Sequence, residues 1–252
     1  MPSLYIPTPV QEIFCLDVAK SDRLSGDHFK KKAQIKLAHG FSLVELLVVL
    51  AIIAILSGLA ILSLPQMKTA ANITKAGYDV TGVLEQARTL AMARNTYTWV
   101  GFFEENPNSP GTAGTGQVVI SVVSSADGSQ LPGASLIQAN KLMKVPNSHL
   151  DVLSATAVTR PTVPANTYQV GSSSFANGTT FTYPLTGTPQ YTFSNIIQFN
   201  PQGDATRIND TPTQWMEIGL RPSHGNVADN ASKNVAAIDI EGIGGKVTLY
   251  RP

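Results

Sequence analysis

The sequence predicts an α+β protein: a long N-terminal helix, membrane-spanning in its first half, packed on a C-terminal antiparallel β-sheet domain. Three observations carry that prediction. Residues 41–64 form an apolar run with one charged side chain, Glu45. Residues 65–96 place apolar groups at helical spacings. Beyond Asn95 the pattern changes to short β-branched and aromatic runs bounded by Gly, Pro, Asn or Ser.

The whole chain sets limits on this reading. Its 252 residues leave room for one sizeable core or two small ones. Charged residues make up 14%, against about 25% in an average domain, and there are 20 Gly and 16 Pro. That balance favours a β-rich domain with long polar loops, of an extracytoplasmic kind. A net charge of +1 offers no bulk attraction for nucleic acid. The single cysteine, Cys15, lies in the N-terminal segment. If that segment is removed, no disulfide can form.

The elements follow in order. Residues 1–29 show no sustained periodicity. Lys30, Lys31, Lys32, Lys36 and His39 then form a basic cluster directly before the apolar run, which marks its cytoplasmic side. As a helix, residues 41–64 would reach roughly 36 Å, enough for a hydrocarbon core of about 30 Å. A secretory signal peptide is the competing reading. The run exceeds an ordinary signal core, however, and "ILSLPQMKTA" offers no small-residue cleavage site.

Over 65–96, Ile73, Val80, Val83, Leu84, Ala87, Leu90 and Ala91 define one stripe, with Lys75, Asp79, Glu85, Arg88 and Arg94 mostly off it. Gly77 and Gly82 weaken the helix by about 1 kcal/mol each relative to Ala. The simplest reading is one continuous helix, hydrophobic all round and then amphipathic. Strands are expected at 97–103, 117–123, 191–199, 214–220, 235–240 and 246–250. Residues 134–153 are ambiguous, and 104–116 and 154–190 read as long loops. The β-rich head therefore covers 97–252.

Catalytic and metal signatures are missing from the sequence. The four histidines are scattered, with no paired metal spacing. "GSSSF" at 171–175 lacks the second glycine of a nucleophile elbow, and "GTAGTGQ" at 111–117 lacks the lysine of a phosphate loop. The reading is a non-enzyme with no cofactor and no metal.

Glu45 stands apart. A carboxylate inside a spanning helix costs about 2.5–3.5 kcal/mol, which makes it a functional hypothesis by default. Its alternative role is local, as an anion near a helix N-terminus. The neighbours decide between them. "KLAHGFSLVELLVVLAIIAIL" resembles the cleavage and methylation signal of type IV prepilins and type II secretion pseudopilins. The resemblance implies a pilin-like fold and a leader, residues 1–40, cut after Gly40 on the cytoplasmic side. The prepilin peptidase, which is also the N-methyltransferase, would then methylate the new N-terminus at Phe41. Glu45 becomes the fifth residue, which pairs with the terminal amine of a neighbouring subunit during filament assembly. Pairing offsets the burial of either charge alone. Ala51, Ala54, Ser57 and Gly58 allow helices to approach closely. Two departures stand out. The family's proline at position 22 is Leu62 here, with Pro65 three residues on. The 40-residue leader is also long, and a translation start near Leu24 would shorten it.

The C-terminal part, "IIQFNPQGDATR", "QWMEIGLRP" and "NVAAIDIEGIGGKVTLYRP", resembles minor pseudopilins of the secretion-system H type and FimT-like minor pilins. The matches are Phe199, Pro201, Gly203, Ile218 to Leu220, Ile238, Ile240, Gly245, Lys246 and Val247. Two functions follow from the resemblance. The first is a structural minor pseudopilin or pilin, anchored once in the bacterial inner membrane with a periplasmic head and partnered by other pilins. The second is a FimT-like subunit that captures DNA. For DNA the candidate cations are Lys246 and Arg251, with Arg207 and Arg221 near them and Asp239 and Glu241 opposing; the sequence favours solvated surface charges over a nucleic-acid site.

Overall fold

The computed structural model describes residues 42–61, 64–133, 135–161, 167–187, 189–212 and 215–252, with helical side chains described over 42–58 and from 72 onward. The leader with Gly40, then Phe41 and Leu62, lies outside the described residues. The chain divides into two units between Ala51 and Ile52. The first contributes the start of a helix, and the sheets and core belong to the second.

Helix α1 (Leu43–Ile61) opens on Ser42. The Ser42 hydroxyl accepts from Glu45 N at 3.1 Å, and the Ser42 carbonyl accepts from Leu46 N at 3.1 Å. Ser42 thus caps the helix through its hydroxyl, and Glu45 takes part through its backbone N–H. Helix α2 (Leu64–Arg94) carries Pro65 in its first turn, where a missing N–H breaks no intrahelical bond. Among the described residues no helix is long and apolar enough to cross a membrane. The part of α1 with described side chains, residues 43–58, would reach roughly 24 Å. The expected span of 41–64 extends past it in the sequence at both ends.

The first sheet centres on β1 (Thr98–Glu105). One side of β1 pairs with β2 (Gln117–Ser125), and the far edge of β2 takes β3 (Leu136–Gln138) and β4 (Met143–Pro146) end to end. The other side pairs with β9 (Asn195–Phe199), which in turn pairs with β10 (Ala205–Arg207). The second sheet centres on β11 (Met216–His224), flanked by β13 (Ala236–Ile240) and then β14 (Val247–Tyr250). Strands β5 (Ser148–Asp151), β6 (Tyr168–Gln169) and β12 (Val227–Ala228) also pair with β11. The β6–β11 ladder is parallel, and the other described pairings are antiparallel. A separate hairpin joins β7 (Phe181–Tyr183) to β8 (Tyr191–Phe193).

Period-2 alternation gives each sheet two apolar faces. One face of both sheets packs on the α2 stripe. Ile73, Val80, Leu84, Ala87 and Ala91 join Val100, Phe102, Ile197 and Phe199 from the first sheet, and Ile218, Leu220, Ile238 and Ile240 from the second. Gly77 has a positive use here. A Cβ at this position would sit 2.9 Å from Leu249 Cδ1, so the glycine lets β14 approach the helix. The opposite face of the first sheet, with Trp99, Val119 and Ile196, is covered by the β7–β8 hairpin. That of the second sheet is covered by Leu153 and Val158. The Ser/Thr-rich middle, read from sequence as a long loop, thus supplies aromatic and aliphatic lids for both sheets.

Candidate functional site

Two regions carry the residues that the sequence singled out. The first is the start of α1. Its large apolar side chains from Leu43 to Leu56 are all exposed, from 44% at Val49 to 79% at Leu43. They surround the helix on every side, so α1 is not an amphipathic surface helix of this chain's own core. A surface of that kind needs lipid or other apolar helices to cover it. Glu45 lies exposed in the first turn, one helical turn beyond the place of Phe41 in the sequence.

The second region is the corner where the turn after β9 meets the hairpin between β13 and β14. Here Gly203 (φ 88°) and Gly245 (φ 58°) occupy the left-handed region that glycine favours. A Cβ on Gly245 would collide with Gly203 O, and one on Gly203 would lie 2.7 Å from Met92 Sδ of α2. Arg88 Nε donates to Gly203 O at 3.2 Å. Asp204 Oδ1 accepts from Gly244 N at 2.8 Å, and Ala205 N donates to Gly242 O at 2.8 Å. The two glycines are thus the contact points at which turn, hairpin and helix lock together.

The four candidate cations do not gather at this corner, and each has partners of its own. Lys246 Nζ lies 3.6 Å from Glu241 Oε1, in an exposed pair. Arg251 donates to Val235 O at 3.0 Å, Asn234 Oδ1 at 2.7 Å and Thr74 Oγ1 at 2.9 Å, tying the chain end to α2. Arg207 lies 4.0 Å from the Tyr168 ring centroid and pairs with Asp210 at 3.0 Å. Arg221 pairs with Asp151 at 2.6 Å. Lys246 and Arg251 stand at opposite ends of β14, about 17 Å apart along an extended strand. Asp239, expected beside these cations at the surface, is instead buried.

Sequence reasoning missed two buried acidic clusters. Glu217 and Asp239 face each other across β11 and β13, on the side away from α2. Arg160 Nε contacts Glu217 Oε2 at 2.6 Å, and Gln169 Nε2 donates to Glu217 Oε1 at 3.2 Å. Burial, reinforced by the Glu217 charge, pushes the Asp239 carboxyl up to about 7. At the end of β1, Glu105 is fully buried and accepts from Lys144 at 2.7 Å, Tyr191 OH at 2.8 Å, Gly111 N at 2.6 Å and Gln117 at 2.5 Å. These partners outweigh its burial and hold its pKa below the usual carboxylate range. In sequence, neither acid is near its basic partner. The signal available for the first cluster was an acid inside an apolar run, Glu217 in "WMEIGL" and Asp239 in "AAIDI".

No group of His, Cys, Asp or Glu among the described residues is arranged to hold a metal ion. Residues 35–61 match the family model described as the prokaryotic N-terminal methylation motif, which is consistent with a type IV prepilin-like chain. Comparisons with curated proteins and with solved structures return no match.

Proposed function

We propose that the chain is a minor pseudopilin or minor pilin, a structural subunit of a type II secretion pseudopilus or a type IV pilus. The observation that carries this reading is the methylation motif over 35–61, placed at the start of a helix whose apolar surface is exposed all round. A prepilin peptidase would cut after Gly40 on the cytoplasmic side and methylate Phe41. Residues 41–64 would hold the subunit once through the inner membrane with residues 97–252 in the periplasm. Extraction into the filament exchanges lipid for neighbouring helices around α1.

Glu45 decides the register of that exchange. The new amine at Phe41 stays cationic after methylation, so it and a neighbour's Glu45 are each costly when buried alone and far less so together. The DNA-capturing alternative has weaker support, because Arg251, Arg207 and Arg221 are engaged within the fold. The head instead invests its charges in holding its own loops and chain end.

The test is a Glu45→Val variant expressed beside its filament system. It should be cleaved normally and accumulate in membranes, yet be depleted roughly ten-fold or more from sheared filaments, as expected for a lost buried charge pair. Incorporation at the wild-type level would remove charge pairing from the account.

A further inference from the structure

We propose that the polar cleft at the β9–β10 edge of the first sheet binds a neutral sugar. The cleft has a volume of about 450 Å³, within the ~300–1,000 Å³ of small-molecule sites. Its lining includes Tyr97, Gln130, Gln198, Thr206 and Asn209. The pleat explains why they converge. Gln198 on β9 pairs with Trp99 on β1 and Thr206 on β10, so all three stand on one face of the sheet. Tyr97, two residues before Trp99, continues that face beyond the strand end.

Gln198 points most directly to a ligand. The residue is 5% exposed and lines the cleft, and its side-chain amide makes no hydrogen bond to protein among the described residues. Its free donor and acceptor face a cleft open to solvent, where a ligand that both donates and accepts would replace water on both groups. The neighbours have matching spare capacity. Gln130 Nε2 donates to Tyr97 OH at 2.9 Å, which leaves the Tyr97 proton and the Gln130 carbonyl free to face a ligand. Asn209 uses its amide nitrogen on Thr179 Oγ1 at 3.3 Å, leaving its carbonyl oxygen.

The walls are held in place before any ligand arrives. Asn209 adopts a left-handed φ of 60°. The loop around it is fixed by Asn177 donating to Ile208 O and by Arg207 donating to Ser174 O at 2.9 Å. Charge selects the class of ligand. Asp210, the one carboxylate among the described residues lining the cleft, is neutralised by Arg207 at 3.0 Å, and Arg207 is itself stacked on Tyr168. No described residue lining the cleft offers an unpaired charge for an anion or a cation. Neutral hydroxyls suit three amides and a phenol, and the flat C–H face of a pyranose suits the Tyr97 ring.

This inference does not depend on the N-terminal motif. Its test uses the full chain in a sugar-free detergent, with saturation-transfer NMR against millimolar glucose, galactose, N-acetylglucosamine and its β-1,4-linked disaccharide. Glucuronate and adenosine serve as charged and heteroaromatic probes. At least one neutral sugar should receive transfer, and Gln198→Leu should weaken its binding about ten-fold. Tyr97→Phe, which removes only a partly exposed hydroxyl, should weaken it several-fold and decides the matter if Gln198→Leu fails to fold. No transfer to any neutral sugar would overturn the proposal. So would preference for glucuronate or adenosine, or sugar binding unchanged in both variants.

Discussion

Replacing Asp239 by Asn should make the head more stable at alkaline pH while leaving it nearly unchanged in mild acid. Asp239 is 3% exposed and stands across from Glu217, with Arg160 as the one nearby cation among the described residues for two acids. Its carboxyl is raised from 3.8 to about 7 by burial first and by Glu217 second. The sign follows from linkage. Between these two values the folded state binds more protons than the unfolded state, so stability falls as pH rises. At about 1.4 kcal/mol per pH unit, the interval from pH 5 to above 7 costs the wild type roughly 3 kcal/mol. Asparagine keeps the shape and a hydrogen-bond donor toward Glu217 but cannot ionise. The stability difference between variant and wild type should therefore grow by roughly 3 kcal/mol from pH 5 to pH 8.5. Other titrating groups, such as His149, whose pKa is raised by its bond to Glu104, are common to both proteins and cancel. Urea unfolding of the full chain at the two pH values measures the difference directly. An equal effect of Asp239→Asn at both would refute the buried, protonated acid.

Two further predictions concern the corner and the chain end. Gly245→Ala forces a side chain into a left-handed backbone and against Gly203 O, and should lower stability by about 3 kcal/mol or more, read as a fall in thermal midpoint. Arg251→Ala removes three hydrogen bonds that tie the C-terminus to α2 and the loop before β13. It should cost about 1–3 kcal/mol in urea unfolding and leave retention on duplex DNA at low salt unchanged; a loss of DNA binding without a loss of stability would reverse the role given to it.

The N-terminal motif was legible because it depends on fixed positions. Gly40, Phe41 and Glu45 carry their meaning in spacing alone, although the first two lie outside the described residues. The α2 stripe was legible for the same kind of reason: Ile73, Val80, Leu84, Ala87 and Ala91 share one face and all are buried. The β-branched runs located β1, β2, β9, β11 and β13, and the Val-Thr-Leu-Tyr run located the shorter β14. Strands β3 to β5, of three or four residues, carry no β-branched run as β14 does (LIQ, MKVP and SHLD) and stayed ambiguous in 134–153. The acidic clusters were hidden by distance, since Glu217 meets Arg160 and Glu105 meets Lys144 only after folding. Arg251 looked like a solvated charge because no local pattern announces a contact with Thr74, far upstream in the chain. Gln198 gave no signal at all, for a polar residue in a strand reads as surface until its neighbours are placed.

The central claim is that Phe41 becomes the N-terminus of a subunit carried in a filament. Mass spectrometry of the protein recovered from its native membranes tests this directly. The expected N-terminal peptide begins at Phe41 and carries one added methyl group. A terminus upstream of Gly40, or one at any residue beyond Phe41, would contradict it.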